Sequence, residues 1–439
     1  MELDLWLGDR LVGRTVSRAR VEKIRIVYDD AVVAEVGNEV PLLSCSLPTP
    51  GPSVPSAARA FLEGLLPEGR ALEAAAAQVR GVALRDGVPE MPSDAGLLLA
   101  EYGRECAGAV VLKASGEPGP SAGRYEAVDE TALAALVRGL PEHPLGSDLS
   151  RDIRMSLAGA QPKLLLARID DQWCEPVGGA PSTHILKPTT AWPDSARNEA
   201  MIMTLARAVG LTDRAVWVED VQNTPVLVAE RYDRAMRNGT VVRLHQEDMC
   251  QALGLRPVDK YHIGRPSGRM ARLLRQATDS PRVELEKLFR QIAFRVMVGD
   301  EDGHGKNYSL LLNDGTVTIA PMYDSLCTLI YSELSGRMAA PIGSQVTLMK
   351  VDRTALLDEA KAMGIPERDA GAILDELADA MRTAIDAVDP AVTRGWPSDR
   401  VAEIIKTRLE RIDSGLPLGV AKRGGIRGAN TLDEETLRR

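Results

Sequence analysis

Three side chains that carry oxygen ligands, Asp302, Asn307 and Asp324, lie close together in one polar part of the sequence. Between Asn307 and Asp324, two apolar runs flank the turn sequence 313–315, Asn-Asp-Gly. An Asp-Gly turn between apolar runs predicts a β-hairpin, which returns the chain to its starting point. We therefore expect Asp324 to lie beside Asp302 and Asn307. Carboxylate and amide oxygens are the ligands that Mg²⁺ prefers.

The interval from Asp302 to Asn307 is D-x-x-x-x-N, the spacing of the protein-kinase catalytic loop. In that loop the aspartate orients the acceptor hydroxyl and the asparagine holds a metal ion. A later aspartate holds Mg²⁺ against the β- and γ-phosphates, and Asp324 is placed for this role. Asp300 is a competing acid, but its spacing to Asn307 does not match. The alternative is a solvated loop in which Asp302 caps a turn.

The preceding part of the chain offers groups that could bind a nucleotide. The small-residue loop 156–163, "SLAGAQPK", could cradle phosphates with its backbone N–H groups, although it matches no standard phosphate-loop pattern. Lys187 ends an apolar run and could contact phosphates, and Glu199 on a predicted helix could orient that lysine. The segment 230–232 follows a predicted strand, where a hinge would offer backbone groups to adenine. The alternatives are a generic turn, a surface lysine, a helix-start acid and an exposed strand end.

The elements that must position these residues follow from the apolar pattern. Apolar residues recur at helical spacing from Leu285 to Val296 and predict a helix that ends near Gly299, just before Asp302. The stretch 163–234 predicts a β-β-α-β-β block that resembles a small nucleotide-binding lobe. Helices are predicted to dominate from His245 onward.

The N-terminal part predicts two hairpins, which turn at 8–9 and at 29–30. It also predicts two helices separated by 67–69, Pro-Glu-Gly, and a later strand in "CAGAVVL". The stretch 113–125 is rich in Gly, Pro and Ser, so we place a linker and a domain boundary there.

The composition narrows the class of protein. The chain has 439 residues, 44% of them hydrophobic and 26% charged, which is typical of two or three globular domains. A net charge of -9 disfavours sequence-independent binding to nucleic acid. The cysteines are odd in number, widely spaced and without a C-x-x-C pair, which favours reduced thiols. No signal-peptide pattern or long apolar run occurs, so we expect a cytoplasmic protein with no membrane association.

Four arginines recur at nearly helical spacing and could meet phosphates or an acidic partner. The alternative is an ordinary solvated helix face. These arginines are Arg265, Arg269, Arg272 and Arg275.

The motifs "SLAGAQPKLLLA", "THILKP", "NEAMIMTLA", "VAERYDR", "HQEDMCQALGL", "DGHGKN" and "PMYDSL" resemble, in this order, those of the HipA family. This family comprises serine/threonine kinase toxins of bacterial toxin–antitoxin systems linked to persistence. "LWLGDRLVG", "FLEGLLPEG" and "CAGAVVL" resemble its N-terminal subdomain. The resemblance implies an α+β, two-lobed kinase-like fold with a mixed β/α N-terminal part and a mostly α-helical C-terminal lobe. The expected segments are an N-terminal subdomain (1–115), a linker (116–127), a nucleotide-binding lobe (128–244), a helical lobe (245–420) and a flexible tail (421–439).

The resemblance also implies individual roles. Asp302 is the catalytic aspartate, Asn307 and Asp324 hold Mg²⁺, and Ser156 is an autophosphorylation site whose modification inactivates the kinase. Pro162 departs from the acidic residue of the best-known family member, and the segment 188–197 is short for a substrate-facing loop. The residues implied to bind ATP are Ala158, Gly159, Ala160, Gln161, Pro162, Lys163, Lys187, Glu230, Arg231, Tyr232, His304, Gly305, Lys306, Asn307, Tyr323 and Asp324.

The activity implied by the resemblance is Mg²⁺-dependent transfer of the γ-phosphoryl of ATP to a serine of a protein. The family implies an aminoacyl-tRNA synthetase as the kind of target, and a HipB-like helix-turn-helix antitoxin as a partner that contacts DNA in place of this chain. One alternative is a kinase-like binding protein that acts as a co-repressor with such an antitoxin. Another is a kinase of small molecules or lipids.

Overall fold

The computed structural model describes residues 2–16, 24–80, 95–189, 192–313, 315–388 and 398–419. These residues form two compact units. Unit 1 comprises Met1–Pro188, Glu230–Pro257 and Leu310–Val317, and unit 2 comprises Thr189–Ala229, Val258–Ser309 and Thr318–Arg439. None of the helices in the described ranges is long and apolar enough to cross a membrane. The tail predicted at 421–439 lies outside the described residues.

The strands are β1 (Leu3–Leu7), β2 (Arg10–Val16), β3 (Arg25–Tyr28), β4 (Val110–Ala114), β5 (Arg124–Ala127), β6 (Leu164–Ile169), β7 (Gln172–Val177), β8 (His184–Pro188), β9 (Val216–Val221), β10 (Thr224–Glu230), β11 (Arg234–Arg237), β12 (Thr240–Arg243), β13 (Gln246–Asp248), β14 (Ser309–Asn313), β15 (Thr316–Ile319), β16 (Arg337–Ile342) and β17 (Gln345–Thr347). The helices are α1 (Asp30–Val36), α2 (Pro55–Gly64), α3 (Gly69–Arg80), α4 (Ala95–Tyr102), α5 (Glu130–Gly139), α6 (Ser195–Ala208), α7 (Met249–Ala252), α8 (Arg269–Ala277), α9 (Pro281–Val298), α10 (Arg353–Ala362), α11 (Glu367–Ala387) and α12 (Ser398–Asp413).

Unit 1 begins with an antiparallel sheet of strand order β3-β2-β1-β4. Its inward-facing apolar residues share one core with α2, α3 and α4. The hairpin predicted at 8–9, the strand at 110–114 and the helix break at 67–69 are confirmed. The hairpin predicted at 29–30 is wrong, because α1 begins there. The Asp29 carboxylate accepts the Ala31 N–H and caps this helix, and Val32 is buried.

A second antiparallel set within unit 1 has the order β5-β7-β6-β8. The turn between β6 and β7 is made by Asp170 and Asp171, whose φ angles are 49° and 62°. Positive φ at both central residues is the geometry of a type I′ turn, which matches the twist of a hairpin. The predicted strand–turn–strand is therefore confirmed. The predicted linker falls between β4 and β5, and both strands belong to unit 1.

Unit 2 contains α6, the β9–β10 hairpin and the helices α8 to α12. The helix α9 is buried along most of its length, where α8, α11 and α12 pack against it. It ends at Gly299, as predicted, with a φ of 85°. A Cβ atom at Gly299 would lie 2.9 Å from the Leu329 side chain, so only glycine both adopts this backbone and fits the space.

The arginines of the predicted stripe do not act as one surface. Arg265 forms an ion pair with the buried Glu359 at 2.7 Å, and Arg275 donates to the Met363 carbonyl at 2.7 Å. Arg269 and Arg272 are exposed. The arrangement favours a solvated helix face. Arg265 ties the segment before α8 to α10, and Arg275 ties the end of α8 to the residue that follows α10.

One carboxylate of unit 1 is buried, and among the described residues it forms no ion pair with a cation. Glu247 on β13 is 0% exposed and accepts the Cys45 N–H at 2.7 Å through Oε1. Its Oε2 has no hydrogen-bond partner within the described residues. Burial raises the pKa of Glu247 to about 7, against the hydrogen bonds from Cys45 and Ser44, which lower it.

The raised pKa of Glu247 predicts a pH-dependent stability. Because the folded state holds this proton more tightly than the unfolded chain, the contribution of Glu247 to the free energy of unfolding is present at low pH. It is lost as the pH rises from about 4.5 to about 7. We expect wild type to lose roughly 3 kcal/mol relative to Glu247→Gln between pH 5 and pH 8. Denaturant unfolding of both proteins at the two pH values measures the difference.

The exposed Glu142 provides the control for this experiment. Glu142→Gln should follow wild type at both pH values, because its carboxylate is solvated in both states. An identical pH dependence of wild type and Glu247→Gln would contradict the prediction.

Candidate active site

The residues after α9 form a tightly bonded loop that carries Asp302. The Asp302 N–H donates to Asp300 Oδ1 at 2.9 Å, and the Asp302 carbonyl accepts the His304 N–H at 2.7 Å. The Tyr261 hydroxyl donates to Asp302 Oδ1 at 3.3 Å. The Asp302 backbone is thus fixed, while 47% of its side-chain surface remains open to solvent.

The surroundings of Asp302 change its acidity. Although the carboxylate is partly open, protein displaces water on its other sides, and this desolvation raises the pKa of Asp302 to about 6. Lys260 opposes the increase in pKa, whereas the nearby Asp324 carboxylate adds to it. A carboxylate with a pKa near the working pH of a cell is suited to accept a proton in general base catalysis.

The hairpin predicted after Asn307 is present, and it returns the chain so that Asp324 lies beside Asn307. The Ala320 N–H donates to the Ser309 carbonyl at 2.9 Å and closes the base of the β14–β15 hairpin. Asn307 Nδ2 then donates to two carbonyls, that of Asp302 at 3.1 Å and that of Asp324 at 3.4 Å. The structure therefore places Asp302, Asn307 and Asp324 together, as the hairpin argument predicts.

The donor atoms of this cluster fit Mg²⁺. Since Asn307 Nδ2 is directed at two carbonyls, the amide oxygen Oδ1 is left on the other side as a possible ligand. With the Asp324 carboxylate this gives a set of hard oxygen ligands. In the described part of the chain no three His, Cys, Asp or Glu side chains form a metal cluster. Two protein ligands fit an ion that keeps waters and binds substrate phosphates.

The competing acid Asp300 has a supporting position. It is 4% exposed and forms an ion pair with Arg295, which is itself buried on α9. The Asp300 Oδ2 also accepts the Ser325 hydroxyl at 2.7 Å. A buried carboxylate with these partners holds the loop in place.

The other residues predicted in this loop are mostly buried beneath it. His304 is 7% exposed and its ring lies edge-on to that of Tyr261, with ring centres 5.2 Å apart. The Tyr323 hydroxyl donates to the Lys306 carbonyl at 2.6 Å and lies 2.7 Å from Ser309 Oγ. Gly305 is buried within the same turn. Their predicted contacts with ATP remain predictions.

The predicted phosphate loop belongs to unit 1 and is held in place at both ends. Ser156 is 0% exposed, and its hydroxyl donates to the Leu65 carbonyl at 2.7 Å. The Gly159 carbonyl accepts the Glu68 N–H at 3.2 Å, and Gly159 itself has a φ of 112°. Lys163 Nζ lies 3.3 Å from the Ala158 carbonyl, while Ala160 and Pro162 are exposed and Gln161 is half-buried.

Part of the predicted adenine hinge, residues 230–232, forms hydrogen bonds and ion pairs with other residues of unit 1. The Arg231 N–H donates to the Thr183 carbonyl at 2.9 Å, and its guanidinium forms ion pairs with Asp233 at 2.7 Å and with Glu105 at 3.3 Å. Arg231 is therefore committed to the interior of unit 1. Glu230 and Tyr232 stay predictions, and the Tyr232 hydroxyl donates to Gln246 Oε1 at 2.8 Å.

The remaining predicted residues are buried within their own units. Lys187 is 6% exposed on β8 of unit 1, and Glu199 is 5% exposed on α6 of unit 2. Beside Glu199, the Asn198 amide donates to the Cys327 carbonyl at 3.0 Å and accepts the Cys327 N–H at 2.9 Å. The sequence predictions missed this clamp and also Arg295 and Tyr261. The only signal for Arg295 was a charged residue among the apolar residues of α9.

Comparisons with known proteins agree with this architecture. Residues 155–385 match the model of the HipA-like C-terminal domain, and residues 3–113 match that of the HipA N-terminal domain. A provisionally named kinase of Sinorhizobium fredii, Y4mE, is 37% identical over 83% of this chain and 86% of its own length. The serine/threonine-protein kinase toxin HipA of Shewanella oneidensis is 23% identical over 83% of this chain and 84% of its own length.

A solved structure shows the same fold. HipA of Shewanella oneidensis MR-1, in a complex with HipB and its operator DNA, superposes with a TM-score of 0.77 and 23% identity. The match covers 94% of this chain and 97% of that one, which confirms the predicted α+β fold class. With both domain models matched in order and a relative of 37% identity along most of its length, the chain belongs to the HipA family.

Proposed function

We propose that this protein is a Mg²⁺-dependent protein kinase that transfers the γ-phosphoryl group of ATP to a serine of a protein substrate. The observation that carries the proposal is the cluster of Asp302, Asn307 and Asp324, joined through the Asn307 amide. All three oxygen-bearing groups of a kinase site are present, with the backbone fixed and the Asp302 carboxylate open. The names of the relatives, which are kinases or a kinase toxin, support it.

The roles of the residues follow from their chemistry. Asp302 Oδ1 receives the Tyr261 hydroxyl, whereas Oδ2 lies 3.9 Å from His304 Nε2, beyond hydrogen-bond distance. We assign Oδ2 the role of orienting the acceptor hydroxyl and taking its proton. Asn307 Oδ1 and the Asp324 carboxylate would hold Mg²⁺, which neutralises charge on the phosphates when bound. Lys163, Lys187 and the phosphate loop in unit 1 are the proposed phosphate contacts.

The proposed partner comes from a relative, and the proposed acceptor from the motif resemblance to the HipA family. The solved HipA is named as part of a toxin–antitoxin complex with HipB and operator DNA. We extend this to a HipB-like helix-turn-helix partner that carries the DNA contacts, in agreement with the net charge of -9 of this chain. A protein such as an aminoacyl-tRNA synthetase is the proposed class of substrate.

Asp302→Asn should keep the fold and nucleotide binding but lower phosphoryl transfer by roughly 10²–10⁴-fold, because the amide cannot accept the proton. The measurement is transfer of labelled γ-phosphate to protein in a host lysate, with binding of an ATP analogue measured in parallel. The exposed Asp279 of unit 2 supplies the control, and Asp279→Asn should transfer at the wild-type rate.

Full transfer by Asp302→Asn would contradict the assignment of the base. If wild type transfers no phosphate to any acceptor but binds a HipB-like protein, the chain acts as a co-repressor scaffold. If it labels only small molecules or lipids, the substrate class is wrong.

Ser156 should carry a single phosphate after incubation with Mg-ATP, and the modified protein should lose kinase activity. A phosphate adds nearly two negative charges. Ser156 is 0% exposed, and its hydroxyl lies against the Leu65 carbonyl oxygen, which would repel those charges. The described loop conformation cannot hold this group, so the loop must leave its place. Intact-mass analysis measures the added phosphate, and kinase assays before and after measure the loss.

The control for Ser156 is the exposed Ser150 in the same part of unit 1. Ser156→Ala should abolish the added mass, whereas Ser150→Ala should keep it. A phosphate that persists on Ser156→Ala, or a modified protein with full activity, would refute this assignment.

A further inference from the structure

One buried guanidinium joins the loop that carries Asp300 and Asn307 to the segment that carries Asp324. Arg295 lies in the last turn of α9, and its side chain is 2% exposed. Its Nη1 donates to the Asp300 carboxylate and to the Asp324 carbonyl at 3.0 Å. Its Nη2 donates to the Tyr323 carbonyl at 2.8 Å and to the Asn307 carbonyl at 3.3 Å.

Two of the three accepting carbonyls belong to the residues that carry the proposed metal ligands. Asn307 and Asp324 are 17 residues apart in sequence, yet their carbonyls bind the same planar group. A guanidinium presents its donors in a fixed fork, so it sets both the distance and the angle between the two backbone segments. The face of the Tyr308 ring, 5.4 Å from the guanidinium carbon, closes one side of the group.

The backbone at Asp324 needs such support. Its φ is 53°, in the left-handed region that an aspartate adopts only at a cost in free energy. The Arg295 bonds to the carbonyls of Tyr323 and Asp324 lie on both sides of this strained residue. The Asp300 carboxylate neutralises the buried charge of Arg295. It also accepts hydrogen bonds from the Asp302 N–H and the Ser325 hydroxyl, so it links Arg295 to both of these residues.

We propose that Arg295 is a positioning residue of the phosphotransfer site, which sets the separation of the Asn307 and Asp324 side chains without touching metal, nucleotide or acceptor. This inference rests on the proposed kinase function. Groups that orient metal ligands from behind typically change metal affinity or activity by 10–100-fold when they are replaced.

A second buried arginine offers a matched control. Arg408 on α12 is 0% exposed, and its Nε and Nη2 donate to the Val296 carbonyl at 3.1 and 2.6 Å. Val296 directly follows Arg295 on the same helix. Within the described part of the chain these are the hydrogen bonds of Arg408, and neither reaches 300–307 or 323–325. Arg408 therefore supports α9 as Arg295 does, but without the link to the proposed ligands.

The experiment compares Arg295→Lys with Arg408→Lys in the full chain. Lysine keeps a positive charge for Asp300 but cannot donate to several carbonyls from a fixed plane. Mn²⁺ serves as the probe, titrated in the presence of a non-hydrolysable ATP analogue and followed by the loss of the free-ion EPR signal. This readout needs no turnover. Half-saturating Mg²⁺ for phosphoryl transfer is measured in parallel.

Arg295→Lys should weaken Mn²⁺ binding by about 10-fold or more and raise the half-saturating Mg²⁺ by a similar factor. Both variants should lower the melting temperature. Arg408→Lys should nevertheless keep an affinity for Mn²⁺ within about two-fold of wild type, because the ligand positions are unchanged. If Arg295→Lys does not fold, the double variant Arg295→Gln/Asp300→Asn replaces the buried ion pair by neutral amides and should show the same loss of Mn²⁺ affinity.

The inference is overturned if folded Arg295 variants bind Mn²⁺ like wild type, or if Arg408→Lys weakens Mn²⁺ binding equally. In either case the proposed kinase function stands as long as wild type transfers phosphate. If wild type neither transfers phosphate nor binds Mn²⁺ with the nucleotide analogue, the proposed function fails and this inference fails with it.

Discussion

The accumulation of negative charge at the end of α9 is the constraint on which the arrangement of unit 2 depends. Burial raises the pKa of Asp300 and of Asp302, and a neighbouring carboxylate adds to each increase, that of Asp302 at Asp300 and that of Asp324 at Asp302. Without compensation, such a group of partly desolvated acids would take up protons or open the loop. The Arg295 guanidinium provides that compensation at Asp300 and leaves Asp302 and Asp324 with their open or oxygen-rich surroundings. Asp300 thus pairs with the buried cation, while the Asp302 side chain keeps 47% of its surface open to solvent.

In unit 1, an ion network of similar kind holds the segment after β10. Glu105 is 1% exposed and pairs with Arg231, Arg234 and Arg243. Although its burial opposes ionisation, the three arginines lower the pKa of Glu105 to about 2. Breaking one member of such a network leaves an uncompensated buried charge, which is strongly destabilising. The presence of Arg231 in the motif "VAERYDR" is explained by its ion pairs in this network.

Local patterns in the sequence were sufficient for much of the site. The spacing of Asp302 and Asn307, the Asp-Gly turn and the glycine that ends α9 together placed Asp324 correctly. The pattern failed at Asp29–Asp30, since short apolar runs fit a strand as well as a helix and a single side-chain cap decided for α1. Arg295 and Glu105 could not be found this way. The partners of Glu105 lie up to 138 residues away, at Arg243, whereas those of Arg295 lie 5 to 29 residues away. In both cases only tertiary packing shows which charged residues face inward.

The burial of Ser156 has a kinetic consequence. A hydroxyl with 0% exposure that donates to the Leu65 carbonyl cannot meet any phosphoryl donor in the described conformation. The proposed modification of Ser156 would therefore require a local opening of the loop. Where opening and closing are fast relative to phosphoryl transfer, its rate would equal the opening equilibrium constant multiplied by the rate of transfer in the open form. Substitutions that alter only the loop's local stability, such as those at the contact between Glu68 and Gly159, would then change how long each molecule stays unmodified. Under the proposed modification, the local stability of a few residues would set the lifetime of the unmodified protein.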